Sequence, residues 1–106
     1  MKFGVLLESN DPETAWNGVR FGVASLKKKH QVKIFFMSKG VECLNIVHEK
    51  YNVKEMIESF QQAGGELLAC GTCIKARNAA TYDVCPISTM DDCVDMIEWA
   101  DRIVTF

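Results

Sequence analysis

Short, almost unbroken apolar runs of strand length recur along this chain, and most are followed by a stretch whose apolar residues return at helical spacing. The runs are residues 2–8 (KFGVLLE), 31–37 (QVKIFFM), 66–69 (ELLA) and 102–106 (RIVTF). A strand that is apolar on both sides is covered on both faces, as in a parallel sheet held between helical layers. The pattern therefore predicts a three-layer α/β/α domain with a mainly parallel sheet of about five strands. With 106 residues, 48% of them hydrophobic, a single domain over residues 1–106 with one core is expected.

The intervening stretches carry helix signals. Asp11 is placed to cap a helix, Pro12 suits its first position and Glu13 its positive end. Ala15, Trp16, Val19, Val23 and Leu26 then form a stripe that runs out at Lys29 and His30. After the second run, Ser38, Lys39 and Gly40 read as a turn. Val41, Leu44, Val47 and His48 suggest a short helix, interrupted near Tyr51 and Asn52. Val53, Met56, Ile57 and Phe60 mark a further helix ending at Gly64 and Gly65. A short helix should follow the third run as far as about Ala80. Residues 83–87 read as a weak fourth strand, short or peripheral because Pro86 removes a ladder donor. Thr89 with Asp92 forms a capping-box variant, opening a last helix whose expected buried stripe is Val94, Ile97 and Ala100.

Several function classes are excluded. A formal net charge of −2 leaves no electrostatic footprint for nucleic acid or an anionic membrane. The basic run Lys27, Lys28 and Lys29 closes a helix, where cations suit the dipole. No segment approaches the roughly 20 apolar residues that cross a bilayer. Met1, Lys2 and Phe3 lead straight into a strand rather than a signal peptide, so a cytoplasmic location is expected. Gly40, Gly64 and Gly65 sit in turns without a Gly-x-Gly-x-x-Gly or phosphate-loop pattern, and no cofactor is expected. His30 and His48 have no visible acid–base partner.

Five cysteines, an odd number in a chain with apolar residues enough for a core, read as reduced thiols rather than a disulfide scaffold. Cys70, Gly71, Thr72 and Cys73 lie where the third run breaks and a helix begins. That puts Cys70 at or just before the cap and Cys73 in the first turn. Helix N-termini and nearby cations bring a thiol's pKa from ~8.5 to about 3.5–7.5, and Lys75 and Arg77 are close in sequence. Ligands in such sheets collect at the strands' C-terminal edge, where the loops beginning at Ser9, Ser38 and Cys70 emerge. Ser38 and Lys39 either line the same pocket or form a plain turn.

The Cys-x-x-Cys spacing alone admits a dithiol redox pair, half of a zinc site, or two small core residues. Zinc needs a second ligand pair, and Cys43, His48, Cys85 and Cys93 offer no matching spacing, so no metal is expected. The thioredoxin-like reading lacks its usual early-strand position and cis-proline loop. Cys43, Cys85 and Cys93 fall among apolar positions or beside Pro86, and core filling is their default.

Ala69 and Cys70 followed by Ile74, Lys75, Ala76, Arg77 and Asn78 resemble the DsrE family of small sulfur-relay proteins. The helix opening Asn10, Asp11, Pro12, Glu13, Thr14 and Ala15 resembles that family too, as does the ending from Ser88 to Asp92 with Trp99 to Phe106. The resemblance covers essentially the whole chain and implies a DsrEFH-like fold. It implies that Cys70 is the sulfur-carrying cysteine, accepting a sulfane sulfur and passing it to another thiol. Gly71, Thr72, Lys75, Arg77, Ser38 and Lys39 would surround the substrate. Asn78 stands where a glycine is common, a tolerable change because Asn also adopts left-handed conformations. Cys73 is an addition, and leaves open a resolving role or a Cys70–Cys73 disulfide. The resemblance further implies homotrimers or homohexamers, active cysteines near subunit boundaries, and sulfur donor and acceptor proteins as partners. The rival readings are a non-catalytic assembly subunit with buried thiols and a dithiol oxidoreductase.

Overall fold

The computed structural model describes residues 1–79 and 85–106. Strands β1 (Lys2–Leu7), β2 (Gln31–Phe36), β3 (Glu66–Cys70), β4 (Ile87–Ser88) and β5 (Arg102–Thr105) form one sheet. Their order is β4-β3-β2-β1-β5, and every pairing is parallel. The helices are α1 (Pro12–Lys27), α2 (Val53–Gln62), α3 (Gly71–Arg77) and α4 (Met90–Trp99), with a 3₁₀ helix at Ser38–Asn45. The expected α/β architecture with a parallel sheet is therefore met. Among the described residues no helix is long and apolar enough to cross a membrane.

The chain steps outward from β1 to β4, then returns to set β5 on the far side of β1. Right-handed crossovers consequently put α4 on the opposite face from α1 and α2. The contacts agree, because Gly22 of α1 lies against Phe60 of α2 and Ile34 of β2, while Gly4 of β1 lies against Met96 of α4 and its C-cap Ala100. Val5, Leu7, Ile34, Phe35, Phe36, Ile57 and Phe60 are fully buried between the layers.

α1 starts as its sequence dictates, with the Asp11 carboxylate accepting the Thr14 N–H at 2.9 Å and Pro12 in the first turn. That hydrogen bond is the main reason the Asp11 carboxyl sits below its ordinary range. The buried stripe is rotated from the expected one. Ala15, Gly18, Val19, Gly22 and Ser25 face the core, and Trp16, Val23 and Leu26 are only half-buried. Glycine at positions 18 and 22 lets the helix backbone approach Leu7, Ile34 and Phe60, so small residues take the innermost positions.

The segment after β2 also departs from expectation. Ser38 opens the 3₁₀ helix at φ 52 instead of forming a plain turn, and Val47 is exposed beyond its end. α2 keeps its stripe of Val53, Ile57 and Phe60, with the Asn52 side chain accepting the Glu55 N–H at 3.1 Å. α3 stops at Arg77 rather than near Ala80, because Asn78 turns left-handed (φ 48, ψ 41) and caps the helix. The weak fourth strand becomes β4, beginning just after Pro86; Asp83 and Val84, expected within it, and Ala80 lie outside the described residues.

α4 is rotated most. Its capping box forms, with the Thr89 N–H donating to Asp92 at 2.7 Å. Cys93 and Met96 are buried, whereas Val94 is 47% and Ile97 43% exposed and Ala100 is half-buried. Met96 and Ala100 dock over the flat patch at Gly4, and the Lys33 ammonium stands 4.5 Å from the centre of the Trp99 ring. Those contacts set the helix rotation and turn Val94 and Ile97 outward.

Gly40 pins the 3₁₀ helix to the end of β1: a Cβ there would run into the Leu7 carbonyl. Gly64 has open space but φ +97. Gly40→Ala is expected to cost about 3 kcal/mol, as for overpacking against a rigid neighbour, and Gly64→Ala about 1–2 kcal/mol, as for left-handed strain. Urea unfolding midpoints check the order; equal losses would mean that the Gly40 approach does not constrain the fold.

Candidate functional site

β1, β2 and β3 run in register, with Leu7 beside Phe36 and Phe36 beside Ala69, so the loops that follow them emerge at one level. Cys70 ends β3, pairs with Ser88 of β4, and has extended dihedrals (φ −65, ψ 111) that make it the N-cap of α3. Its Sγ accepts the Cys73 N–H at 3.4 Å, a thiol standing where Ser or Asp commonly caps. Gly71 follows because β4 is tight against it: a Cβ would lie 2.7 Å from Ile87 Cγ2.

The two thiols differ in setting. Cys70 is 4% exposed and Cys73 is half-buried nearer the surface. Interaction with the Cys70 thiol is the main cause holding the Cys73 thiol above its ordinary value. Burial acts the same way, while the Ser38 backbone N–H and, more weakly, the Arg77 charge pull it down. The lowering expected for a first-turn thiol beside cations thus does not win at Cys73, because the Cys70 thiol favours its protonated form.

Of the other residues singled out in the sequence, Ser38 reaches Cys73 through its backbone. Lys39, Thr72 and Lys75 are exposed on the 3₁₀ helix and α3. Arg77 Nη1 contacts Glu42 Oε1 at 3.3 Å, and the same oxygen accepts from Asn10 Nδ2 at 3.2 Å. Glu42 and Asn10 tie the three loops together, and sequence reasoning missed them as site residues. No spacing marks Glu42; only the in-register edge brings it to Arg77.

A third thiol approaches from the other side. Lys33 pairs with Glu66 in the ladder and lies over Trp99, so Glu66, Leu68 and Cys70 alternate onto the α4 face. Cys93 is buried on α4, raised first by burial and then by the Cys70 charge. Burial pushes Cys43 and Cys85 up to about 12, with Cys85 adding to the effect on Cys43. Among the described residues no group of three or more His, Cys, Asp or Glu is arranged to hold a metal. A groove of 670 Å³ between α1 and α2, bounded by Arg20, Lys27 and Met56, contains none of the thiols.

The chain matches the DsrE/DsrF-like family over residues 1–106. An uncharacterized protein of Methanopyrus kandleri is 31% identical over 100 residues, covering 89% of this chain and 83% of that protein. Another, of Methanocaldococcus jannaschii, is 28% identical over all of both chains. A conserved protein of unknown function from Bacteroides thetaiotaomicron superposes with a TM-score of 0.77 over 99% of this chain and 94% of its own; at 16% identity it speaks to the fold alone.

The contrast among thiols predicts their order of modification. A thiol at about 12 is ionised in roughly one copy in ten thousand at pH 8. Native Cys43 and Cys85 should therefore stay unalkylated while Cys73 reacts first, as peptide mass mapping will read. The alkaline limb carries the same information. Between about pH 9.0 and 12 the unfolded chain loses these protons and the fold retains them, so stability falls as pH rises. Each thiol contributes a slope of about 1.4 kcal/mol per pH unit. Cys43→Ala should remove about one such slope from urea-derived stabilities; an unchanged slope would mean that Cys43 does not ionise on unfolding.

Proposed function

We propose, from the premise that the chain belongs to the DsrE/DsrF-like family, that it is a sulfur-transfer protein in which Cys70 carries sulfane sulfur as a persulfide. The observation that supports this reading is the Cys73 N–H donating to the Cys70 sulfur at 3.4 Å, at the end of β3 and the start of α3. In the loading step the Cys70 thiolate attacks the outer sulfur of a donor persulfide. A new S–S bond forms, the donor's S–S bond breaks, and the donor leaves as a thiolate that takes up the proton. In unloading, an acceptor thiolate attacks the outer sulfur of the Cys70 persulfide and Cys70 departs as thiolate. Cys73 offers a second exit. Its thiolate attacks the inner sulfur, giving a Cys70–Cys73 disulfide and hydrosulfide. Ser38, Lys39, Gly71, Thr72, Lys75 and Arg77 frame the approach to the pair.

Assembly fits the same reading. Met90, Val94 and Ile97 recur on one side of α4 and are exposed, and Ile87, 64% exposed, lies against Gly71 beside the thiols. A homotrimer or homohexamer that covers these residues would bring Cys70 close to a subunit boundary. Donor and acceptor proteins would then meet the thiols at that boundary in the cytoplasm.

The placement of both thiols at the start of α3, with the Cys73 N–H on the Cys70 sulfur, also favours a second reading, a dithiol oxidoreductase cycling a Cys70–Cys73 disulfide. One experiment separates the two. Reduced protein is incubated with a low-molecular-weight persulfide and its intact mass is measured. Cys73→Ala should gain one sulfur, wild type either one sulfur or the Cys70–Cys73 disulfide that follows its release, and Cys70→Ala far less. Equal loading of Cys70→Ala and Cys73→Ala would sink the carrier role for Cys70. A disulfide without sulfur uptake in any variant would favour the oxidoreductase.

A further inference from the structure

Arg77 is the cation whose charge is felt at the Cys73 thiol, yet it is already engaged. Its Nη1 meets Glu42 Oε1 at 3.3 Å, and Asn10 Nδ2 holds the same oxygen at 3.2 Å from the loop after β1. The carboxylate is thus positioned from two sides. A guanidinium has five N–H donors, and among the described residues the contact shown is to this one oxygen. Both side chains are partly exposed, at 34% and 39%, so the pair is solvated and readily opened. Any sulfur donor approaching Cys73 and Cys70 from this side therefore meets a cation and an anion together rather than a bare positive charge.

We infer that Glu42 determines which class of sulfur donor the site accepts: by occupying Arg77 it disfavours small, multiply charged anions such as thiosulfate and polysulfide, and leaves the thiols to uncharged or protein-borne persulfides. The inference rests on the Cys70 carrier reading for its biological meaning, but its charge logic needs only that these thiols react with a disulfide. An anionic donor must displace Glu42 from Arg77 or endure its repulsion. A neutral donor does neither.

The test uses two disulfide reagents of opposite character on the reduced full-length protein. One is dianionic 5,5′-dithiobis(2-nitrobenzoate) and the other is neutral 4,4′-dithiodipyridine; the modified residue is identified by peptide mass. Glu42→Gln keeps an oxygen for Asn10 and removes the charge. It should raise the ratio of dianionic to neutral rates about fivefold at low ionic strength, and the gain should shrink toward unity in 1 M salt, where the Debye length is about 3 Å. Arg77→Gln should lower the ratio, because it removes the cation and leaves the carboxylate unpaired, and adding Glu42→Gln to it should bring the ratio back near wild type, since both charges of the pair are then gone. An unchanged ratio in Glu42→Gln would overturn the inference, and so would an unchanged ratio in Arg77→Gln. Sulfur loading from thiosulfate is measured alongside. If no variant loads from any donor while the reagent ratio shifts as stated, the carrier reading fails and the charge selection stands.

Discussion

The in-register pairing of β1, β2 and β3 is the constraint on which the rest depends. Because Leu7, Phe36 and Ala69 are ladder neighbours, three chain segments leave the sheet at the same height and have no choice but to meet. Gly40 then allows the 3₁₀ helix to lie on the Leu7 carbonyl, which brings the Ser38 N–H to Cys73 and Glu42 to Arg77. Each of those contacts would be lost by a slip of a single residue, since a slip also turns every side chain to the other face. The buried apolar side chains of β1 and β2 oppose such a slip, because it would move Val5, Leu7, Ile34 and Phe36 out of their layer.

Much of this was legible in the sequence, for reasons that differ by element. Apolar runs covered on both faces announce a parallel sheet, and side-chain caps such as Asp11 and Thr89 act within three residues, so both can be read locally. The rotation of α4 could not. Val94, Ile97 and Ala100 are as regularly spaced as Cys93, Met96 and Ala100, and the choice between the two stripes was made by Gly4 and Lys33, far away in sequence. The α1 stripe misled for a related cause: the residues nearest the sheet are glycines, which no hydrophobic count detects. The site shows the same division. Cys70 and Cys73 stand out because they sit on a strand-to-helix break, whereas Glu42 and Asn10 acquire meaning only when separate loops converge on one oxygen.

The cysteines also illustrate how far environment outweighs residue type. Cys43 and Cys85 share burial that penalises a thiolate, and Cys93 shares it more mildly with the addition of a neighbouring sulfur. Cys73 meets opposing influences, the Cys70 thiol and burial against a backbone N–H and a guanidinium. A reactive site in so small a protein does not need a deep pocket. What separates its thiols is their setting at the sheet edge, while Cys43 and Cys85 keep their protons through lack of solvent.

In the proposed carrier role Cys70 holds two offices at once, since the sulfur proposed as nucleophile is also the group that closes the first turn of α3. Nucleophile and helix cap draw on the same lone pairs, so any chemistry at that atom is also an edit to the secondary structure. Replacing Cys70 with alanine removes both offices and confuses them. Serine separates them, for its hydroxyl is the stronger cap and a far poorer nucleophile toward sulfur. A serine at that position would leave α3 begun as firmly as before, or more so, without the sulfur on which the proposed transfer depends.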